Sequence, residues 1–166
     1  MVIELVNIVL YSSVWIHVIS AIIWLGSVIA MEFIILPALN NNIGPNNSIF
    51  LSGMSKKYAR VSEITSALIL ITGVYQTYAN GYLDVNKLFS TGYGNLVLVK
   101  VMLFFIFAGV GVSAGMKLAH LDSTSSNEQI LQGIQKAKMM FLVDIIVGLF
   151  IIVVAVALSF GGSITI

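Results

Sequence analysis

Two side chains of this sequence could do chemistry at a depth where water is scarce, His17 and Lys100. His17 stands in an apolar run that begins near Ile8, roughly 14 Å along a helix that rises 1.5 Å per residue. Lys100 stands near the start of another, Leu96-Val97-Leu98-Val99-Lys100. Ionisable groups at membrane depth are costly, so they mark candidate functional positions. A neutral imidazole suits iron, and a bundle of four helices can hold a flat macrocycle between facing helices. The composition is equally compatible with a histidine that hydrogen-bonds a neighbouring helix and a lysine that snorkels to the interface.

The residues around these two extend the same reading. Ser20, Ala21, Trp24, Val28 and Met31 follow His17 at helical spacing, and the small ones leave room for a ring. Phe104, Phe107, Gly111 and Ala114 continue the Lys100 face. His17 is thus the candidate haem iron ligand. Trp24 and Phe104 are candidate cofactor contacts, and Lys100 is a second axial ligand, a propionate partner or a catalytic group. His120, beside Lys117 at the far end of its run, is about 30 Å from Lys100 along a helix and reads as an interfacial histidine. Glu32, Glu63, Asp144 and Arg60 gather toward that same end, and Asp144 is expected to pair with Arg60 or to bond within the bundle. Gly111 and Gly115 form a Gly-x-x-x-Gly pair that could receive a partner's helix.

The elements that must position these residues are membrane helices. Of the 166 residues 58% are hydrophobic and 9% charged, and the mean hydropathy is +1.02. A soluble domain carries about 25% charged residues, so much of this exterior must face lipid. Apolar segments near Ile8–Leu36, Ile64–Ala79, Leu96–Leu118 and Met139–Phe160 approach the roughly 20 residues that span a bilayer. The second is the shortest and is extended down to Arg60. The expected fold is therefore an all-α, four-transmembrane-helix bundle forming a single domain over 1–166. The run from Leu5 to Met31 is read as the first span rather than a signal, because it is too long and lacks a basic n-region. Pro37 and the stretch Asn40 to Asn47 should break the chain, Ile49-Phe50-Leu51 should form a short interfacial helix, Gly81 to Asn95 a loop, and Ser123 to Glu128 a helix cap.

Lys56, Lys57, Arg60, Lys117, Lys136 and Lys138 flank the loops after the first and third spans, whereas Lys87 stands on the other side. The positive-inside rule then turns both termini outward in the plasma (inner) membrane. Tyr11, Tyr75, Tyr78, Tyr82 and Tyr93 mark the outer boundary. The net charge of +1 gives no basic face for nucleic acid. With no cysteine, two histidines and seven scattered methionines, thiolate chemistry is excluded and a dedicated copper site is weakly supported.

The order of these motifs is also familiar. His17-Val-Ile-Ser-Ala-Ile-Ile-Trp24-Leu25-Gly26 resembles the first span of the four-helix membrane protoporphyrinogen oxidases of the HemJ type and of related CopD-like membrane proteins. Lys56-Lys57-Tyr58-Ala59-Arg60 resembles the basic approach to that family's second helix, and Gly94-Asn95-Leu96-Val97-Leu98-Val99-Lys100 its entry into the third. The resemblance implies haem b, with His17 as axial ligand and Lys100 as the other functional position. Glu32-Phe33 stands where the oxidases carry an arginine, and Ala67-Leu68 where their second span has Pro-Gly. The leading expectation is a b-type haem membrane protein in electron transfer, a membrane oxidoreductase if it is an enzyme at all. It would meet quinone or porphyrinogen within the lipid, alone, as a homo-oligomer or with other membrane subunits of a respiratory or oxidase assembly. Protoporphyrinogen IX oxidation, a cofactor-free accessory subunit and copper import in the CopD manner are the alternatives.

Overall fold

A computed structural model describes the backbone of residues 2–40, 45–121 and 124–159, with side chains described from Ile8 to Leu39, Ser48 to Leu121 and Thr124 to Ser159. Among these residues the regular structure is entirely helical. Helix α1 spans Val2–Ala30 and passes through a π-helical turn, Met31–Ile35, into α2, Leu36–Asn40. Helix α3 spans Pro45–Ala79, α4 Val85–Ser90, α5 Gly92–Ala119 and α6 Asn127–Ser159. The Asn41–Gly44 part of the expected break, Asp122-Ser123 of the expected cap and Phe160 lie outside the described residues.

Among the described residues three stretches are long and apolar enough to cross a membrane: Ile8–Leu39, Gly92–Ala119 and Asn127–Ser159. The expected second span does not meet that criterion, and the reason is visible in its packing. Helix α3 buries Ser48, Ser52, Ser55, Tyr58, Ser62, Thr65 and Thr72 at helical spacing, while Val61, Ile64, Leu68, Ile71 and Val74 are exposed. Its hydroxyl groups face the bundle and its aliphatic side chains face outward, so its average hydropathy is low although its outer surface is apolar. The expected interfacial helix at Ile49–Leu51 is not a separate element but the beginning of this same helix.

Packing contacts make the helices alternate in direction. Ser13, His17 and Trp24 on α1 meet Gln76, Thr72 and Ser62 on α3, so numbers rise on one helix as they fall on the other. Ser52 and Ser55 donate to the carbonyls of Ala119 and Gly115, which sets α3 antiparallel to α5. Gly111 and Gly148 lie against Asp144 and Phe107, which sets α5 antiparallel to α6. Gly148 also meets Leu25, so α6 closes the ring against α1. Between membrane helices, close approach of small residues and interhelical hydrogen bonds replace the hydrophobic drive. Both are present here.

Local chemistry explains several ends and bends. Pro37 does not stop the first helix, contrary to expectation. Proline removes one backbone donor and crowds the preceding turn, and the π turn directly before it re-spaces the backbone so that the helix continues to Asn40. Helix α3 ends at Gly81, whose φ of 73° closes the helix with Gly81 N–H donating to Tyr78 O and Tyr82 N–H to Thr77 O, the left-handed stop that favours glycine. The expected loop from Gly81 to Asn95 contains α4, capped by Asp84. Thr91 Oγ1 then accepts from Gly94 N–H at 3.0 Å to start α5. The cap expected before α6 takes the form of a reciprocal pair that reaches Gln129: Ser126 N–H donates to Gln129 Oε1 and Gln129 N–H to Ser126 Oγ, a capping box.

Candidate functional site

His17 points from α1 toward α3. Its Nδ1 lies 2.8 Å from Thr72 Oγ1, and its Cε1 lies 3.4 Å from where a Cβ on Gly73 would sit. Glycine at 73 therefore lets α3 approach the imidazole closely. Thr72 Oγ1 also lies 2.6 Å from the Leu68 carbonyl, to which it donates, so the pairing accommodates an Nδ1–H tautomer of His17 in which Nε2 keeps its lone pair. An imidazole held through Nδ1–H with Nε2 basic is the arrangement of a metal-ligating histidine supported by a neighbouring acceptor.

Lys100, half-buried on α5, lies within electrostatic reach of His17. The shared depth inferred from the sequence is thus realised as proximity. Trp24 stands on the same face of α1 and is 3% exposed. Its Nε1–H donates to Ser62 Oγ at 2.6 Å. Its ring meets Phe104 edge-on with centroids 5.4 Å apart and Phe107 at 4.4 Å. Trp24 and Phe104 are therefore packed against each other and form an aromatic layer two turns along α1 from His17. Ser20, Val28 and Met31 are buried as their spacing requires, whereas Ala21 is exposed. Beside this layer an apolar groove runs on the outer surface between α1 and α3, walled by Ile16, Ile19, Ile23, Ile64 and Leu68, with the Ser20 and Thr65 hydroxyls in its lining.

The remaining candidates fall apart into separate places. Asp144 and Glu32 are buried, but Arg60 and Glu63 are exposed, and neither carboxylate oxygen of Asp144 has a hydrogen-bond partner among the described residues. The expected Asp144–Arg60 pair is not formed, because Arg60 lies on the lipid and solvent side of α3 while Asp144 faces inward. Glu32 instead lies within electrostatic reach of Lys138. Gly111 and Gly115 do not offer a face to a partner; both are buried, with Tyr58 of α3 packed over them. His120 is exposed, and its Nδ1 lies 2.6 Å from the Met116 carbonyl. It borders an open groove with Lys117 and Lys136 between α5 and α6, far from His17 in the bundle.

Thr72, Ser62 and Tyr58 escaped the sequence reading. Their signal was the recurrence of hydroxyl residues every three or four positions along α3, which becomes meaningful only once that face is known to be internal.

The donor set can be tested against two groups. Copper takes soft thioether or imidazole ligands; among the described residues no three His, Cys, Asp or Glu side chains come together, which leaves methionine as the soft donor the chain has in number. A haem is held by an axial side chain such as an imidazole, and His17 is a half-buried imidazole between α1 and α3. No curated protein and no solved structure matches the chain. The family model described as copper resistance protein D, CopD, matches residues 52–158, from the first turns of α3 to the end of α6. The match takes in Thr72, Lys100, Phe104 and Asp144, while His17 and Trp24 precede it. Matched over well over half its length, the chain belongs to the CopD family.

Proposed function

We propose that this CopD-family membrane protein binds haem b and passes electrons within the membrane, with His17 Nε2 as an axial ligand. The observation that carries the reading is the 2.8 Å pairing of His17 Nδ1 with Thr72 Oγ1, which would leave Nε2 as the ligating atom. Bound haem would supply a one-electron couple. The protein's own groups then have plain tasks. Thr72 holds the imidazole in orientation, and Lys100 provides positive charge for an anionic carboxylate of the cofactor or for a reduced substrate. The Trp24–Phe104–Phe107 layer keeps water from the centre. The α1–α3 groove gives a lipid-soluble quinone or porphyrinogen an approach to the same layer.

In this reading α3 is a fourth span, because it lies between α1 and α5 and turns its aliphatic face outward. Both termini are outside, by the distribution of lysines. A second reading, movement of copper across the membrane, is favoured by the description of the matching family. Metal and pigment analysis of the protein purified in mild detergent separates the two. Iron and porphyrin in equal, near-stoichiometric amounts support haem binding. Copper without porphyrin supports the second reading and ends the first.

A further inference from the structure

At the end of the bundle away from His17, the described structure brings two polar side chains together without partners. Asp144 is fully buried at 0% exposure, with Oδ1 and Oδ2 both lacking hydrogen-bond partners. Tyr58, from α3, is 5% exposed, and its hydroxyl has Ser62 nearby but no close hydrogen-bond partner among the described residues. Gly111 of α5 makes the space they share: a Cβ there would stand 2.7 Å from Asp144 Oδ2 and 2.8 Å from Tyr58 OH. The carboxyl and the phenol thus converge on one small volume between three helices.

An ionised carboxylate held there without a partner would be left buried and uncompensated, and intramembrane ionisable groups mark function by default. The charged groups of the surrounding elements do not compensate it. Tyr58 is the titratable group set against Asp144 from α3, and α5 contributes Gly111, which has no side chain. Glu32, in the π turn, lies within electrostatic reach of Lys138 and has its own buried Oε2 without a partner, while Arg60, Lys56, Lys57, Lys136 and Lys138 are exposed. A hard divalent cation takes about six or more oxygen ligands. One carboxyl group and one phenol fall well short of that. A proton needs only one oxygen.

We propose that Asp144 is a proton-binding site built into the bundle. An O–H bond forms on the Asp144 carboxylate, giving the neutral carboxyl, which shares the space at Gly111 with the Tyr58 hydroxyl. The proton comes from water at the N-terminal end of α3, where Ser52 and Ser55 line the buried face in the turns before Tyr58, and returns there on release. The site works independently of what His17 binds.

The test is infrared difference spectroscopy of the full chain in lipid nanodiscs. It would follow the carbonyl stretch of protonated carboxyl groups through pH and hydrogen–deuterium exchange. One component of that band should disappear in Asp144→Asn, shift in Tyr58→Phe and remain unchanged in Glu63→Gln. A band unaltered by Asp144→Asn overturns the proposal, as does one that vanishes when sodium replaces potassium at constant pH, since that marks a cation site. If Asp144→Asn does not fold, Tyr58→Phe decides: a band that fails to move overturns the assignment.

Discussion

At the residue scale the working unit is His17 with Thr72. The sequence shows a histidine inside an apolar run and cannot tell a ligand from a structural hydrogen bond. The structure places one ring nitrogen against Thr72 Oγ1, an arrangement in which the structural bond and ligation through the other nitrogen are compatible. Replacing Thr72 by Val keeps the shape and removes the acceptor. Loss of such an orienting partner typically weakens metal affinity by about 10–100-fold. Haem titration of the variant should show that loss while its helical circular dichroism stays unchanged. Unchanged affinity would mean that Thr72 does not orient the ligand. Ser62→Ala should behave differently. It strands the buried Trp24 Nε1–H and should lower stability by about 1 kcal/mol, the scale of an interhelical hydrogen bond in membranes, with little effect on haem affinity. Parallel detergent-melting and titration experiments on the two variants would separate these outcomes.

At the element scale, glycines decide how closely the helices meet. A Cβ on Gly94 would stand 2.5 Å from the backbone carbonyls of both Leu88 and Lys87, atoms that cannot rotate away. Gly94→Ala must therefore push α4 off the start of α5, and the overpacking should cost about 1–3 kcal/mol. A thermal-melting midpoint indistinguishable from wild type would contradict that packing. The apolar cores of α1, α5 and α6 were legible because lipid-facing helices are hydrophobic nearly all round. Helix α3 was only half legible. Its periodic signal is inverted, with hydroxyls inside and aliphatics outside, so a scale that averages over the helix underestimates it. The short α4 and the passage of the first helix through Pro37 were not legible either. Each depends on a local tertiary accommodation, a cap at Asp84 in one case and a π turn in the other.

At the scale of the whole molecule the alternating helices make a specific topology. The absence of native cysteine makes it simple to test, since Gly53→Cys, Asn86→Cys and Ser126→Cys each introduce one thiol. If α3 crosses the membrane and the lysine-rich loops face inward, a membrane-impermeant maleimide applied to intact cells should label position 86 and spare 53 and 126. Labelling of 53 together with 86 would remove α3 from the set of spans. What the sequence conveyed at this scale was the ordering of polar residues by depth: His17 with Lys100 at one level, Asp144 at another. It could not show that Arg60 faces away from Asp144 or that Gly111 and Gly115 are internal, because those facts depend on helix rotation, which one sequence does not set.

The central claim, haem ligation by His17, is tested most directly by the reduced-minus-oxidised absorption spectrum of the purified protein and its His17→Ala variant. The account predicts Soret and α-band changes of a b-type haem in the wild type, lost or displaced in His17→Ala while the variant still folds. A wild-type spectrum without those bands, or identical bands in His17→Ala, would contradict it.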